Sequence, residues 1–297
     1  MAGIVLGEPT ELYNTLNQTT KYSRLSEPTY LYLADVRIKS EYLESHVITA
    51  KRAKRKLEDE NEEFLMPQDI EIECVQFIVV YDRNTDSLES NGPAVQYAKL
   101  LEVVSNYPII VLNGGYQRFS ADYPFFRTQK IFYMPQELDN FQAYPVEIIP
   151  GKLYMGNFKQ ACSKKIQKDL KIKVHVNVCS EGGVFFTGEQ SSRLLHLPTE
   201  EDGTLYVHFD HTCQFIDDYL KKDKRVLIFS NLGISRSTCV VIAYLIYLKH
   251  MTLKDAWNAV KKCKANMQPH REFVQQLSKW EEKILKQKIT DISETNF

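Results

Sequence analysis

The feature that most constrains this chain is the run Phe229-Ser230-Asn231-Leu232-Gly233-Ile234-Ser235-Arg236-Ser237, set between two apolar stretches. Before it, Arg225-Val226-Leu227-Ile228-Phe229 reads as a buried strand. After it, residues 235–249 are apolar almost all round and read as a central, buried helix. A loop leading from a strand into a helix turns successive backbone N–H groups inward, toward the positive end of the helix. That makes a cradle for an anion. Gly233 relieves backbone crowding, and the planar fork of Arg236 can grip two oxygens of a phosphoryl group. Asn231, Leu232, Gly233, Ile234, Ser235 and Arg236 are therefore the candidate phosphate-binding residues.

The same run resembles the protein tyrosine phosphatase signature, in which His-Cys is followed by five residues and then Arg. Its tail, Gly233-Ile234-Ser235-Arg236-Ser237, is the form typical of dual-specificity phosphatases. The resemblance puts Ser230 where the family has its nucleophilic cysteine, and Phe229 where it has histidine. A phosphatase cysteine works because it is a thiolate at neutral pH. A serine hydroxyl ionises far less readily, and no neighbouring base is evident in the sequence to deprotonate it. The resemblance thus implies a pseudophosphatase, a binding protein without catalytic residues.

The likeness extends from about residue 145 to residue 285. Ile148-Ile149-Pro150-Gly151-Lys152-Leu153-Tyr154-Met155-Gly156-Asn157 is similar to the family's opening strand pair, and Val176-Asn177-Val178 to its next buried strand. Asn266-Met267-Gln268-Pro269-His270-Arg271-Glu272-Phe273-Val274-Gln275-Gln276-Leu277 resembles its Pro-Asn-x-x-Phe-x-x-Gln-Leu closing helix. The family's general acid is an aspartate about thirty residues before the cysteine. Leu197-Pro198-Thr199-Glu200-Glu201-Asp202 occupies that stretch, with Glu201 at the acid position and Asp202 able to slide into it. A solvated loop is the blander reading of that cluster. An enzyme reading also stays open: a weak phosphatase using Ser230 or a relocated thiol. Cys239, three residues past Arg236, reads as core packing instead.

Upstream, Tyr30-Leu31-Tyr32-Leu33-Ala34, the run from Cys74 to Tyr81 and Tyr107-Pro108-Ile109-Ile110-Val111-Leu112 read as strands separated by helical lengths. Such spacing predicts a parallel sheet built from βαβ units. Leu33-Ala34-Asp35-Val36-Arg37 and Leu112-Asn113-Gly114-Gly115-Tyr116 resemble the rhodanese and Cdc25-homology fold. The resemblance implies that Asp35 and Arg37 fix loops. It puts Asp82 where sulfur-transferring rhodaneses carry their cysteine, and a carboxylate cannot hold a persulfide. Cys74 lies at the wrong end of its strand.

The chain is thus expected to be α/β, with a rhodanese-like domain over 25–133, a linker over 135–145 and a dual-specificity phosphatase-like domain over 146–288. That arrangement is the one found in mitogen-activated protein kinase phosphatases, whose first domain docks a kinase through basic residues. Lys51, Arg52, Lys54, Arg55 and Lys56 occupy the corresponding region. The favoured alternative is a solvated helix on which Lys54, Arg55 and Lys56 pair with Glu58, Asp59 and Glu60. Expected partners are proteins: phosphoproteins, a MAP kinase or an active phosphatase.

Composition excludes other classes. A net charge of −1 over 297 residues gives no reason to expect nucleic acid or an anionic membrane. Six cysteines, none in a CxxC pair, point away from structural zinc and from a redox motif. No metal or cofactor is expected. The first residues lack the apolar core of a secretory signal, so a reduced compartment, the cytoplasm before mitochondrion or nucleus, is expected.

Overall fold

The computed structural model describes residues 3–20, 22–58, 61–139, 141–180, 193–200 and 203–293. The chain divides into two compact units, Met1–Gln142 and Ala143–Phe297.

The first unit is a five-stranded sheet in the order Ile4–Gly7, Ile109–Leu112, Phe77–Tyr81, Leu31–Asp35, Lys51–Arg52. Every pairing in it is parallel. Parallel strands are covered on both faces, and their side chains alternate between the two. Ile78 and Val80 enter one apolar cluster with Ala94, Tyr97 and Leu101 of the helix Pro93–Glu102. Tyr81 turns the other way and stacks on Tyr116, with ring centroids 6.1 Å apart. The helix Pro9–Leu16 adds Tyr13, which stacks on Tyr123 at 4.5 Å.

Three sequence expectations change here. The unit reaches back past residue 25 to Ile4, because Ile4–Gly7 supplies the sheet's edge strand. A four-residue strand is too short to carry a periodic signal. The strand expected from Cys74 begins at Phe77, and Ile72–Cys74 is instead a 3-10 turn. The basic segment is not a helix. Arg55–Glu58 and Asn61–Phe64 form an antiparallel ladder that sets Lys56 opposite Glu63. Arg55 lies 4.4 Å over the Phe64 ring and donates to the Val36 carbonyl at 2.9 Å. Those tertiary contacts override the i,i+4 charge pattern, and Asp59 and Glu60 lie outside the described residues.

In the second unit the sheet order is Val146–Ile149, Leu153–Asn157, Arg225–Ser230, Ile172–Asn177, Arg193–His196. The central strand Arg225–Ser230 pairs in parallel with both neighbours. Val226 and Ile228 join a core with the helices Phe209–Lys221, Arg236–Lys249, Leu253–Cys263 and Arg271–Leu285. By alternation Leu227 and Phe229 face the opposite side, where the His175 ring meets Phe229 edge-on at 6.4 Å. The helix Arg236–Lys249 is buried continuously from Arg236 to Ile246. Its position behind the central strand aims its N-terminus at the carboxyl edge of the sheet, where ligands of open α/β sheets gather.

Candidate functional site

At that edge the chain leaves Ser230 and turns back within five residues to begin the helix at Arg236. The turn is possible because of Gly233, whose φ is +71°. A Cβ there would also stand 2.5 Å from the Gly156 carbonyl oxygen, so glycine is required twice over. The loop is fastened from outside. Phe158 N donates to Asn231 O at 3.3 Å, Gln268 N to Ile234 O at 2.7 Å, and His270 N to the Ser235 hydroxyl at 3.2 Å.

A pocket of about 390 Å³ opens over the loop, lined by Ser230, Leu232, Ile234, Ser235, Arg236, Gln268, Pro269, His270 and Arg271. Of the six phosphate-binding candidates, Leu232, Ile234, Ser235 and Arg236 line it. Asn231 and Gly233 do not: Asn231 is exposed, and Gly233 is pressed against Gly156. Arg236 is only 6% exposed, and its Nη1 donates to the Thr199 carbonyl at 2.6 Å. A guanidinium offers five donors, so one such bond fixes its orientation while keeping capacity for an anion.

Ser230 is buried, and its hydroxyl donates to Ser237 Oγ at 3.0 Å while Ser237 N approaches it at 3.5 Å. Its partners are thus another hydroxyl and a backbone N–H, groups that hold an oxygen in place without taking its proton. No cysteine lines the pocket. Cys239 is fully buried in the helix core, and burial raises its pKa well above the usual thiol range. Cys179 follows the strand Ile172–Asn177 and lies near enough to Arg236 to feel its charge. Burial outweighs that pull and pushes the Cys179 thiol up to about 11. Glu201 and Asp202, the expected acid positions, lie outside the described residues.

Sequence reading missed the far wall of the pocket. In the sequence Gln268, Pro269, His270 and Arg271 read only as the start of the closing helix, whose N-cap is His270. The loop closes on the helix through two backbone donors, Gln268 N to the Ile234 carbonyl and His270 N to the Ser235 hydroxyl, and a backbone donor has no residue type to mark it. Thr199 escapes notice for the same reason, since it acts through its carbonyl.

In the first unit Asp82 ends the strand Phe77–Tyr81. Its Oδ1 accepts from Asn84 N and Thr85 N at 3.1 and 2.8 Å, and its Oδ2 from Thr85 Oγ1 at 2.6 Å and Ala94 N at 3.3 Å. The carboxylate is a loop staple. Asp35 and Arg37 form a buried bidentate pair at 2.6–3.2 Å, and the Arg37 guanidinium also lies 3.7 Å over the Tyr116 ring. In the basic segment, Lys51 is ion-paired to Asp69 at 2.7 Å and Arg52 Nη1 approaches the Ala53 carbonyl at 3.4 Å, while Lys54 and Lys56 are exposed. Among the described residues no cluster of His, Cys, Asp or Glu is arranged to hold a metal, and no helix is long and apolar enough to cross a membrane.

A parallel sheet whose central strand runs through a glycine-bent, arginine-bearing loop into a buried helix defines a class. Residues 153–283 match the family described as "Dual specificity phosphatase, catalytic domain", and residues 17–122 match "Rhodanese-like domain". The chain is a rhodanese-like domain followed by a dual-specificity phosphatase-like domain, with relatives of the MAP kinase phosphatase type. A "Probable rhodanese domain-containing dual specificity protein phosphatase" of Dictyostelium discoideum is 33% identical over 59% of this chain and 37% of its own length. Dual specificity protein phosphatase 4 of Rattus norvegicus is 27% identical over 70% of this chain and 58% of its own. A solved human structure, the tyrosine phosphatase-like serine/threonine/tyrosine-interacting protein, is 29% identical over 47% of this chain and 96% of its own, with a TM-score of 0.42. The aligned stretches thus span from 37% to 58% of the length of these two curated relatives.

Proposed function

We propose that the chain is a pseudophosphatase of the serine/threonine/tyrosine-interacting kind, which regulates phosphorylation signalling by binding rather than by hydrolysis. The observation that carries this is the pairing within one pocket of a buried, oriented Arg236 with a Ser230 hydroxyl held by Ser237. Such a site keeps the means to bind a phosphoryl group and lacks the thiolate that would attack it. Bound phosphoproteins would be shielded from active phosphatases. Partners of a second sort, a MAP kinase or an active phosphatase, would be held in a complex that leaves the cradle empty. Within the basic segment, Lys54 and Lys56 are exposed, and kinase docking would draw on them.

The test is a titration of a tyrosine-phosphorylated peptide against the wild type and Arg236→Ala, with folding checked by circular dichroism. Losing a charged hydrogen-bond donor costs about 1.5–3 kcal/mol, so Arg236→Ala should bind at least about tenfold more weakly. Equal affinity for both, or no binding by either, sinks the occupied-cradle reading.

A further inference from the structure

The clamp on Arg236 is itself held from a distance. Gln276 lies on the helix Arg271–Leu285 and does not line the pocket over the loop. Its Oε1 accepts from Leu205 N at 2.7 Å and Tyr206 N at 2.9 Å, and its Nε2 donates to the Gly203 carbonyl at 3.2 Å. One side chain therefore satisfies three backbone groups of a segment that has no ladder of its own. Gly203 in turn donates through its N–H to the Glu200 carbonyl at 3.2 Å. It also packs so closely that a Cβ on it would meet Thr199 Cγ2 at 2.9 Å and Glu200 N at 3.1 Å. Thr199 is buried, its hydroxyl tied to the Leu197 carbonyl, and its own carbonyl receives Arg236 Nη1 at 2.6 Å. From Gln276 the connection runs by hydrogen bonds to Gly203 and on to Glu200, through the Thr199–Glu200 peptide bond, and by a hydrogen bond to the guanidinium.

We infer that Gln276 is a positioning residue for the phosphate cradle: it fixes the segment 203–206 so that the Thr199 carbonyl stays where it orients Arg236. The inference rests on the reading that the cradle binds phosphate. An arginine side chain has many rotamers, and an anion binds more tightly when the fork is already aligned. A supporting shell of this kind sets the precision of a site without touching the ligand. The physical demand is specific to an amide. Oε1 must accept twice and Nε2 must donate once, which no aliphatic residue can do and a carboxylate does only in part.

The experiment uses the full chain and a tyrosine-phosphorylated peptide. Gln276→Leu should weaken binding by up to about tenfold, the cost of ordering one rotamer-rich side chain on binding. Gln276→Glu keeps the double acceptor but turns a carboxylate oxygen toward the Gly203 carbonyl, so its affinity should fall between wild type and Gln276→Leu, and the exposed neighbour Gln275→Leu should have no effect. Added to Arg236→Ala, Gln276→Leu should cost nothing further, because its effect runs through that guanidinium. Wild-type affinity in Gln276→Leu, or an undiminished loss in the Arg236→Ala background, overturns the inference. If the wild type binds no phosphopeptide, the phosphate-binding reading fails. The inference is then decided by the Arg236 guanidinium protons in NMR, whose protection from exchange should fall in Gln276→Leu. Unchanged protection overturns it.

Discussion

The sharpest perturbation is to give the site back its two missing groups with Phe229→His and Ser230→Cys together. A thiol at position 230 would take the place of an oxygen that has the Ser237 hydroxyl at 3.0 Å and Ser237 N at 3.5 Å, at the head of a helix of 14 residues. Those groups, with the buried Arg236, favour a thiolate, and the introduced thiol should titrate well below about 8.5. The exchange at 229 has an opposite consequence. Phe229 is fully buried and meets His175 edge-on, so the ring lies in a dry pocket on the far side of the sheet. Replacing it with a smaller imidazole forfeits apolar burial and brings two ring nitrogens that need partners, at about 2–4 kcal/mol. For a domain of this size that lowers the melting temperature by roughly 5–12 °C. The double variant should therefore hydrolyse a small aryl phosphate while melting earlier than the wild type. The wild type should be inert, and Arg236→Ala should abolish the new activity. An introduced thiol that alkylates with an ordinary pKa in a folded protein would refute the reasoning, because the loop would then lack the field attributed to it. A low thiol pKa with phosphate bound but no turnover would instead indict the acid positions at Glu201 and Asp202.

Two further outcomes follow from the same geometry. Gly233→Ala forces a side chain into a left-handed conformation and against the Gly156 carbonyl. It should cost about 2–4 kcal/mol in urea denaturation and remove phosphopeptide binding even at temperatures where the protein stays folded. The pH dependence of stability should carry a mark of His175, which burial pushes down to about 3 while its Nε2 pairs with Gln167 Oε1 at 2.7 Å. An unfolded histidine titrates near 6.5, so the stabilisation is complete above that pH and is lost as pH falls toward 3, by about 2 kcal/mol at pH 5. Urea melts at pH 7 and pH 5 should show this slope, and His175→Gln should flatten it; an unchanged slope would contradict the assignment.

The loop around Arg236 was legible in the sequence because its parts are contiguous: an apolar strand, a glycine, an arginine and an apolar helix, each with a strong local signal. The buried helix expected over 235–249 was legible for the same reason and runs over Arg236–Lys249. What could not be read depends on contacts distant in the chain. The basic segment carries helix-like charge spacing, yet Phe64 and the Val36 carbonyl draw Arg55 into a hairpin. The carbonyl of Thr199 orients Arg236 across 37 positions, and a backbone atom has no residue type to betray it. His270 and Arg271 look like ordinary helix-start residues until the fold sets them on the rim of the pocket.

The short strand Ile4–Gly7 bears on how the first unit can be handled. The rhodanese-like match begins at residue 17, and a fragment cut there would lack the strip that pairs with Ile109–Leu112. Its newly bared margin would be a row of isoleucine, valine and leucine with open N–H and C=O groups, the kind of template on which chains stick to one another. Sedimentation or pull-down work on such a fragment would then report adhesion between cut edges rather than the partners of the intact chain.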